Sequence, residues 1–392
     1  MSESAFLEKL LDGAEVEWVP LAEGENRITE LKRGRVMSKG YLVENSGDYP
    51  VYSSQTARNG QIGKIKTFDF DGESITWTTD GANAGTVFHR TGKFSITNVC
   101  GIIRICDVDR LNYRYLFHYL SFNTQKHVYA GMGNPKLMSN QMAKIPIPIP
   151  CPENPEKSLA IQAEIVRILD TFTELTAELT AELTARKKQY NYYRDQLLTF
   201  EEGEVELVPL ANDHFFEIAN RGRRPVKASL RIPGETPYYG ANNVQDYVEG
   251  HTHDGEFVLI AEDGSASLEK YSIQYAVGMF WANNHVHVVA GKEGVNTRYL
   301  YHLLCTLNFI PYLSGGGRAK LTKGKLSEIP IPIPPLPEQA RIVAILDKFD
   351  TLAHSISEGL PREIELRQKQ YEYYRDLLLN FPKSEPQTEI VA

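Results

Sequence analysis

The longest regular pattern in the chain is an apolar stripe near its middle. From Ser158 to Phe200 the sequence contains no Gly or Pro, and apolar residues recur there in alternating steps of four and three. This spacing places them on one face of an α-helix and is typical of a coiled coil, in which a second helix covers the stripe. At about 1.5 Å of rise per residue, such a helix would span on the order of 60 Å. The stripe consists of Ile161, Ile165, Ile168, Phe172, Leu175 and Leu179.

Shorter apolar runs between Gly-rich turns predict β-strands in the regions before and after this helix. In each region the runs lead into a short helical segment, near residues 113–122 and 298–307. An alternating Ile-Pro run follows. Because proline lacks an N–H donor, that run predicts an extended exit and neither a helix nor a central strand. The clearest strand-like runs are residues 74–79, 102–105, 257–261 and 285–290.

The two halves of the chain repeat each other at an offset of 177 to 189 residues. A repeat of this length predicts duplicated structural units in the order globule, helix, globule, helix. We expect a first globular domain at residues 1–150, a central helical spacer at 151–203, a second globular domain at 204–335, and a C-terminal helical spacer and tail at 336–392. Matching segments are 15–22 and 204–211, 112–120 and 296–304, 145–150 and 329–334, 168–170 and 345–347, and 189–195 and 370–376.

A second apolar stripe in the last quarter of the chain is the expected partner of the first. Because a globule separates the two helices, they can run antiparallel, which would give the duplicated chain pseudo-twofold symmetry. The sequence therefore predicts the α+β class, with two mixed α/β globules separated by two long helices that form an antiparallel coiled coil. The segment Gly359-Leu360-Pro361 should end one helix and begin another. The second stripe consists of Ile342, Ile345, Phe349, Leu352 and Ile356.

Within the first helix, the four residues Leu-Thr-Ala-Glu repeat from Leu175 onward. One such tetrad changes the length of a helix by about 6 Å. Against a rise of about 3.4 Å per base pair, this corresponds to one or two base pairs of a DNA duplex. The alternative interpretation is an ordinary coiled-coil segment.

The composition is that of a folded protein with two or three domains: 392 residues, 42% hydrophobic and 23% charged. Residues 1–11 mix charged and apolar positions, which predicts neither a signal peptide nor a membrane span, so we expect a cytoplasmic protein with no membrane partner. The cysteines lie far apart without a Cys-x-x-Cys pair, which favours reduced, mostly buried thiols over a zinc site or a disulfide framework. They are Cys100, Cys106, Cys151 and Cys305.

The net charge of -8 disfavours nucleic-acid binding by the chain as a whole, because phosphate contacts need clustered Lys and Arg. The distribution of charge changes this picture. Residues 221–231 and 315–325 are rich in Lys and Arg and contain no acidic residue, whereas acidic residues gather around the central helix. Local positive patches are therefore available for DNA.

These features together resemble the specificity subunits of type I restriction-modification systems. The resemblance rests on two globules of different sequence, two similar helices, the tetrad, Pro-Leu-Pro-Glu-Gln at 335–339 and the Gln-Tyr-x-Tyr-Tyr-Arg-Asp ends of the helices. It covers nearly the whole chain and is most like the class C branch. It implies that each globule is a target-recognition domain that reads one half of a bipartite, asymmetric site in double-stranded DNA. It also implies that the helices set the gap and dock two methyltransferase subunits, that restriction subunits with translocase activity join them, and that this chain needs no cofactor.

Candidate DNA contacts follow from side-chain chemistry. Glycines let the backbone approach phosphates, Arg pairs with guanine, and Asn or Gln pairs with adenine. The matched Lys136 and Lys320 are assigned to phosphates, and solvated turns are the alternative interpretation of these loops. The first globule contributes Tyr52, Ser53, Arg58, Asn98, Gly131, Gly133, Lys136, Asn140 and Gln141. The second contributes Arg221, Arg223, Arg224, Tyr239, Asn242, Asn243, Gly315, Arg318, Lys320 and Lys323.

The pairs His251/His253 and His285/His287 could each place two imidazoles on one strand face, as metal ligands require. Phenylalanines occupy the places of the first pair in the other half of the repeat, so we expect packing or DNA contact and no metal.

The sequence also lacks an Asn/Asp-Pro-Pro-aromatic methyltransferase motif, a phosphate-binding loop and a nuclease carboxylate-lysine cluster. We therefore expect a non-catalytic chain whose partners supply the chemistry. Two alternatives remain: a DNA-modifying enzyme that acts alone, and a coiled-coil scaffold that binds only protein.

Overall fold

The structure of the chain is a computed structural model, which describes residues 5–25, 27–130, 133–315, 319–355 and 358–382. By their contacts these residues form two units. One unit contains the described residues up to Glu178 and those from Glu365 onward, and the other runs from Leu179 to Ile364. Each unit therefore combines one of the repeated globules with segments of the long helices.

Strands, a short helix and a long helix follow one another in a similar order in both halves. The helices are α1 (Ala5–Leu11), α2 (Lys39–Glu44), α3 (Tyr113–Asn123), α4 (Ser139–Met142), α5 (Pro155–Leu197), α6 (Thr297–Leu304), α7 (Lys323–Ser327), α8 (Leu336–His354) and α9 (Gly359–Leu379). The strands are β1 (Val16–Pro20), β2 (Thr29–Arg33), β3 (Ser46–Tyr52), β4 (Gln61–Ile65), β5 (Ser74–Thr78), β6 (Val87–Arg90), β7 (Ser95–Ile96), β8 (Cys100–Ile105), β9 (Pro146–Pro150), β10 (Glu206–Pro209), β11 (Phe216–Ile218), β12 (Pro233–Tyr239), β13 (Val244–Val248), β14 (His253–Ala261), β15 (Ile273–Ala282), β16 (Val286–Gly291) and β17 (Pro330–Ile333).

The first globule is built on a four-stranded antiparallel sheet in the order β2-β8-β5-β6. At its centre Trp77 of β5 is fully buried, and its indole N–H donates a hydrogen bond to the Leu137 carbonyl at 3.0 Å. Gly101 of β8 lies opposite Trp77, and a Cβ at this position would come within 2.1 Å of the indole ring. Close packing therefore requires glycine here, because an overlap of that size is relieved only by moving the tryptophan.

The second globule joins its strands into one six-stranded sheet in the order β11-β16-β14-β15-β12-β13. The ten-residue strand β15 pairs with β14 along most of its length and with β12 at its end. Gly255 and Gly278 face each other in the β14–β15 pair with φ angles of 134° and 74°, which favour glycine. In the first globule β6 and β7 are two separate strands, and β7 belongs to a smaller sheet, β4-β3-β7.

Strand register shows the repeat in segments where the two sequences differ. In the first globule β3 runs parallel to β7, with Tyr52 opposite Ile96, and in the second β12 runs parallel to β15, with Tyr239 opposite Ala282. The hairpins β3–β4 and β12–β13 each contain two register shifts, and the second shift lies directly before Tyr52 or Tyr239. The two globules therefore share one local geometry although their sequences differ there.

Each Ile-Pro run pairs with the strand that begins its globule. β9 pairs antiparallel with β1, and β17 pairs antiparallel with β10, so both runs lie in two-stranded sheets and not in central strands, as the prolines predict. The hydroxyl of Tyr115 donates to the Pro148 carbonyl at 2.8 Å, and that of Tyr299 donates to the Pro332 carbonyl at 3.0 Å. These contacts tie each run to the short helix of its globule.

The uninterrupted helix expected in the middle of the chain is α5, which is 43 residues long. The first globule covers part of its stripe: Ile161 and Ile165 are buried in that core, in one cluster with the adjacent Leu169 and with Leu378 and Leu379 of α9. Further along the stripe, Phe172 stacks on Tyr374 of α9, so a second helix covers it as well. Periodicity identifies the apolar face of a helix, but it does not identify what covers that face.

The second stripe is covered in the equivalent way. Its first residue, Ile342, is buried in the core of the second globule, in one cluster with Leu346 of the same helix, Tyr190 of α5 and Leu198 directly after α5. The last residue of the stripe, Ile356, lies outside the described residues. Matching aromatic stacks join the helices in the two units. The rings of Phe172 and Tyr374 lie 5.1 Å apart at 20°, and those of Tyr193 and Phe349 lie 5.5 Å apart at 22°.

The expectation of mostly buried thiols is wrong at Cys106, which is exposed just past the end of β8. Cys100 of β8 is buried. Cys305, directly after α6, is exposed as a residue, but burial of its thiol raises the pKa of that thiol to about 12. Across the parts of the chain that the structure describes, no helix is both long and apolar enough to cross a membrane.

Candidate nucleic-acid interface

Three loops of the first globule meet to form one surface. They are the hairpin loop 53–60, the turn 79–86 and the Gly-rich loop 129–137, of which residues 131 and 132 lie outside the described residues. The Asn83 side chain donates to the Ser54 carbonyl at 3.2 Å, and the Gly81 N–H donates to the Pro135 carbonyl at 3.0 Å. These bonds fix the turn against both other loops, and we call the result the three-loop surface.

In the hairpin loop, the candidates divide into supporting and exposed residues. The Ser53 hydroxyl accepts a hydrogen bond from Thr97 at 2.8 Å, and the half-buried Tyr52 ring packs edge-on against Phe94. Arg58 is exposed with a φ of 51°, in the left-handed region that non-glycine residues rarely adopt. Asn98 is also exposed.

Arg90 supports this loop from below and was not identified from the sequence. It is 6% exposed, its Nε donates to the Thr76 hydroxyl at 3.1 Å, and its Nη2 donates to the Asn59 carbonyl at 2.6 Å. Its guanidinium lies 3.6 Å from the centre of the Tyr52 ring, a cation–π contact. Burial lowers the pKa of Arg90. The contacts explain how two consecutive left-handed residues, Arg58 and Asn59, are held.

The remaining candidates of the first globule lie in and after the Gly-rich loop. Lys136 is exposed, and its backbone pairs with Tyr129 across the loop. Gly133 and Asn140 are exposed, whereas the half-buried Gln141 accepts a hydrogen bond from the Met138 N–H at 3.1 Å and so caps α4. The candidate Gly131 lies outside the described residues.

The second globule carries an equivalent three-loop surface, formed by the hairpin loop 240–243, the turn 262–266 and the loop 314–321, of which residues 316–318 lie outside the described residues. Asn242 joins the first two loops, since its amide donates to the Gly264 carbonyl at 2.9 Å and its oxygen accepts from the Ala266 N–H at 2.8 Å. Lys320 forms backbone bridges with Asp263 and Ser314, as Lys136 does with Asp80 and Tyr129. The repeat therefore brings the same three loops together twice.

Glu262 is the electrostatic centre of the second surface. Its carboxylate lies 2.6 Å from Arg223 Nη1, 3.0 Å from Lys320 Nζ and 3.8 Å from His287 Nδ1. Burial raises the pKa of Glu262, but the hydrogen bonds from Arg223 and Lys320 outweigh burial and hold the pKa below its ordinary value. Burial lowers the pKa of the His287 imidazole, which donates to the Leu321 carbonyl at 2.7 Å. Arg223 and Lys320 are thus part of an internal network, although the Lys320 side chain is 46% exposed.

The other candidates of the second globule are mostly exposed. Arg221, Arg224 and Lys323 are exposed, and Lys323 opens α7 after the N-cap residue Thr322. Tyr239 is half-buried against Phe280, and Asn242 and Asn243 are exposed. Gly315 has a φ of 93°. The candidate Arg318 lies outside the described residues.

The histidine pairs do not lie on strand faces, because His251 and His285 precede β14 and β16. The ring of His253 stacks on Phe280 at 5.1 Å, and its Nε2 lies 3.0 Å from the Ala219 carbonyl. His285 Nδ1 lies 2.5 Å from Asp263. Among the described residues, no group of three or more His, Cys, Asp or Glu side chains could hold a metal ion.

One cluster in each unit fixes the short helix of the globule to a long helix. In the first unit, Asp170 of α5 accepts hydrogen bonds from Arg114 Nε at 3.1 Å and from His118 Nε2 at 2.7 Å, both of α3. In the second, Asp347 of α8 accepts from Arg298 Nε at 2.8 Å and from His302 Nε2 at 2.6 Å, both of α6. We call each Arg-Asp-His group a clamp. Its members recur in the sequence, but only the fold shows that they meet.

Comparison with known proteins identifies the family of this chain. The family model for the type I restriction modification DNA specificity domain matches the chain twice, at residues 26–186 and 205–366. The two matches cover more than half of the chain and one repeat each. The chain belongs to the type I restriction-modification DNA specificity family.

Relatives of the same family agree with the assignment over the full length. The EcoR124I/EcoR124II specificity subunit of Escherichia coli is 39% identical over 420 residues, covering 98% of this chain and 99% of that protein. The EcoprrI specificity subunit of Escherichia coli is 36% identical over 390 residues, covering 91% of this chain and 93% of that protein. The type I specificity subunit from Mycoplasma genitalium, a crystal structure, shares the fold with a TM-score of 0.65 at 16% identity, covering 95% of this chain and 98% of that one.

Family membership confirms the prediction of a DNA specificity subunit. DNA sequence recognition within a type I system is the function of the chain, and the catalytic activities of such a system belong to other subunits. The predicted α+β class, with two sheet-rich globules and long helices, is confirmed as well.

Proposed function

We propose that each three-loop surface reads one half of a bipartite, asymmetric site in double-stranded DNA. The observation that carries this proposal is that two globules with one geometry present different side chains. The first surface exposes Arg58 and Asn59, and the second exposes Asn242 and Asn243. Because base edges are distinguished by the donors and acceptors of side chains, one scaffold with two sets of side chains suits two unlike half-sites.

The candidate residues take different roles in this proposal. Exposed cations, among them Arg58, Lys136 and Lys323, neutralise phosphates or reach guanine, and exposed amides such as Asn140 and Asn243 pair with bases. Residues with internal contacts, such as Tyr52 and Arg223, hold the loops in place. A fixed loop loses less conformational freedom on binding, so such supports favour affinity and selectivity.

The long helices have a separate role in the proposal. They set the gap between the half-sites and dock two methyltransferase subunits, which restriction subunits with translocase activity then join. The target-recognition domains are residues 1–150 and 204–335, and the helical spacers are residues 151–203 and 336–392. The complex acts on DNA inside the cell, and the class C assignment stays a prediction from the tetrad and the helix ends.

Inserting one Thr-Ala-Glu-Leu tetrad after Leu179 should lengthen the recognised gap by one or two base pairs and leave both half-sites unchanged. The reason is that four helical residues add about 6 Å, against a rise of about 3.4 Å per base pair. The measurement is methylome sequencing of cells that carry the variant with its methyltransferase and restriction subunits. Altered half-sites at an unchanged gap would contradict the spacer role.

Replacing Lys136 by alanine should weaken binding about equally for all DNA sequences and reduce the slope of log K against log salt by about 0.9, since one phosphate contact is lost. Fluorescence anisotropy of the chain assembled with methyltransferase subunits measures both quantities over a salt series. Lys187→Ala, which removes an exposed lysine of α5 outside the three-loop surfaces, is the control. A change confined to one DNA sequence would instead assign Lys136 to base recognition.

The same assay separates the alternatives. A scaffold that binds only protein would show no sequence-selective affinity after assembly with methyltransferase subunits. An enzyme that acts alone would methylate or cut DNA as the purified chain.

A further inference from the structure

The two clamps are built alike in units whose recognition surfaces differ. Each consists of a carboxylate on a long helix that accepts from an arginine and a histidine four residues apart on a short helix. The Asp170 carboxylate accepts hydrogen bonds from two nitrogens of Arg114, Nε and Nη2. In the second clamp, Arg298 pairs with Asp347 and also with Asp350. Charge-assisted bonds of this kind are short and directional, so they fix orientation as well as distance.

The histidine of each clamp is almost fully buried. The side chains of His118 and His302 are 2% and 0% exposed. Burial lowers the pKa of both imidazoles, which favours the neutral form with the proton on Nε2, facing the aspartate. Within the part of the chain that the structure describes, the Nδ1 atoms of both histidines are buried without a hydrogen-bond partner. Each histidine therefore leaves one ring nitrogen unsatisfied, a cost that both repeats carry.

The clamps lie between the reading surface and the helix in each unit. In the first unit, α3 packs against β5 and β6, the two strands joined by the turn 79–86 of the three-loop surface. In the second, α6 packs against β14 and β15, which flank the turn 262–266, and against α8. Sheet, short helix, clamp and long helix thus form a continuous connection. If the clamp contacts were loosened, the loops could change their orientation relative to the long helix.

We propose that the clamps fix the direction of each three-loop surface relative to its helix and thereby restrict the gaps that the protein accepts. This inference rests on the proposed function, in which the helices set the gap. One additional base pair moves a half-site by about 3.4 Å and rotates it by about 34° around the duplex axis, since one turn contains about 10.5 base pairs. A firmly held surface misses the displaced half-site, whereas a surface with angular slack can follow it.

The test replaces the clamp carboxylates by amides of the same shape, as Asp170→Asn, Asp347→Asn and the double variant. Each is assembled with methyltransferase subunits and given duplexes with constant half-sites and gaps one or two base pairs shorter or longer than the preferred gap. The readout is the ratio of the methylation rate at the preferred gap to that at its neighbours. We expect this ratio to fall about tenfold in the double variant and by about the square root of that in each single variant, because separate sites act additively.

Matched controls remove carboxylates that make exposed pairs on the same helices. Glu164 pairs with Arg167 on α5, and Glu338 pairs with Arg341 on α8, both at the surface. Glu164→Gln and Glu338→Gln should leave the ratio unchanged, since exposed pairs contribute little. Should Asp170→Asn fail to fold, Arg114→Lys keeps the charge but loses the two-nitrogen contact, and the same fall in the ratio is expected.

The outcomes separate this inference from the proposed function. Equal loss of methylation at all gaps, with an unchanged ratio, would show that the clamp only stabilises the fold and would overturn the inference. A wild-type complex that reads no bipartite site would overturn the proposed function itself. Relaxed gaps with unchanged half-site sequences would establish the clamps as positioning residues.

Discussion

Ending the chain at residue 370 should unfold the first globule and leave the second globule folded. The deletion removes three buried side chains from the core of the first globule, Leu378, Leu379 and Phe381, which are 0%, 2% and 4% exposed. Truncating one such side chain costs about 2 to 5 kcal/mol, and whole domains are stable by only about 5 to 15 kcal/mol. The loss of all three, about 6 to 15 kcal/mol, is therefore as large as the whole stability of a domain.

Hydrogen exchange followed by mass spectrometry measures this prediction region by region. Peptides from β5 and β8 should exchange rapidly in the deletion variant, whereas peptides from β14 and β16 should stay protected. A chain that ends at Pro382 keeps every core residue of this segment and is the first control. Phe381→Ala and Phe200→Ala form a second comparison, because these phenylalanines occupy matching places in the two repeats. Protection lost equally in both globules, or in neither, would refute the role assigned to the C-terminal helix.

Replacing Glu262 by alanine should destabilise the second globule by about 3 kcal/mol, the lower end of the range for a broken buried ion pair. The carboxylate is 15% exposed, and its removal leaves Arg223, which is 18% exposed, without its counter-charge. Lys320 retains contact with water, which keeps the loss at the lower end. Urea unfolding monitored by hydrogen exchange in β14 and β16 measures the difference.

The dependence of this effect on pH has a definite sign. The pKa of Glu262 is lower in the folded state than its ordinary value, so its stabilisation is present above the unfolded-state pKa and is lost as the pH falls through the folded-state pKa. The difference in the free energy of unfolding between wild type and Glu262→Ala should therefore be largest near neutral pH and become smaller in acid. Glu269→Ala, at an exposed position of the same globule, is the control and should show neither effect. A difference in the free energy of unfolding that increases in acid would contradict the assigned network.

The internal repeat is the reason that so much of the fold could be predicted from the sequence. Matching segments located both globules, both short helices and the long helix α5, because each signal occurs twice and supports the other. The break at Gly359 and Pro361 was also predicted, and α9 begins at Gly359. Local rules suffice for such features, since they depend on neighbouring residues.

Contacts between distant residues were not predicted. The clamp residues Arg114 and Asp170 are 56 positions apart, and no local pattern indicates that they meet. Arg90 lies in a short strand where its charge would ordinarily predict exposure, yet it is buried beneath Tyr52. That the globule cores cover part of the two stripes was not predicted either, since a periodic apolar face does not show which apolar surface the fold brings near it.

The position of α9 in the core of the first globule has a consequence for synthesis. Residues 1–150 are translated before the segment that completes their core, which contains Leu378, Leu379 and Phe381. At roughly 5 to 20 residues per second, the intervening stretch takes on the order of 10 to 50 s to translate. The helices that complete the second globule lie directly beside it in the chain, so this globule can fold as soon as they are made. During the same interval the core of the first globule is incomplete and its apolar residues are exposed. This is therefore when the chain is most accessible to chaperones and proteases.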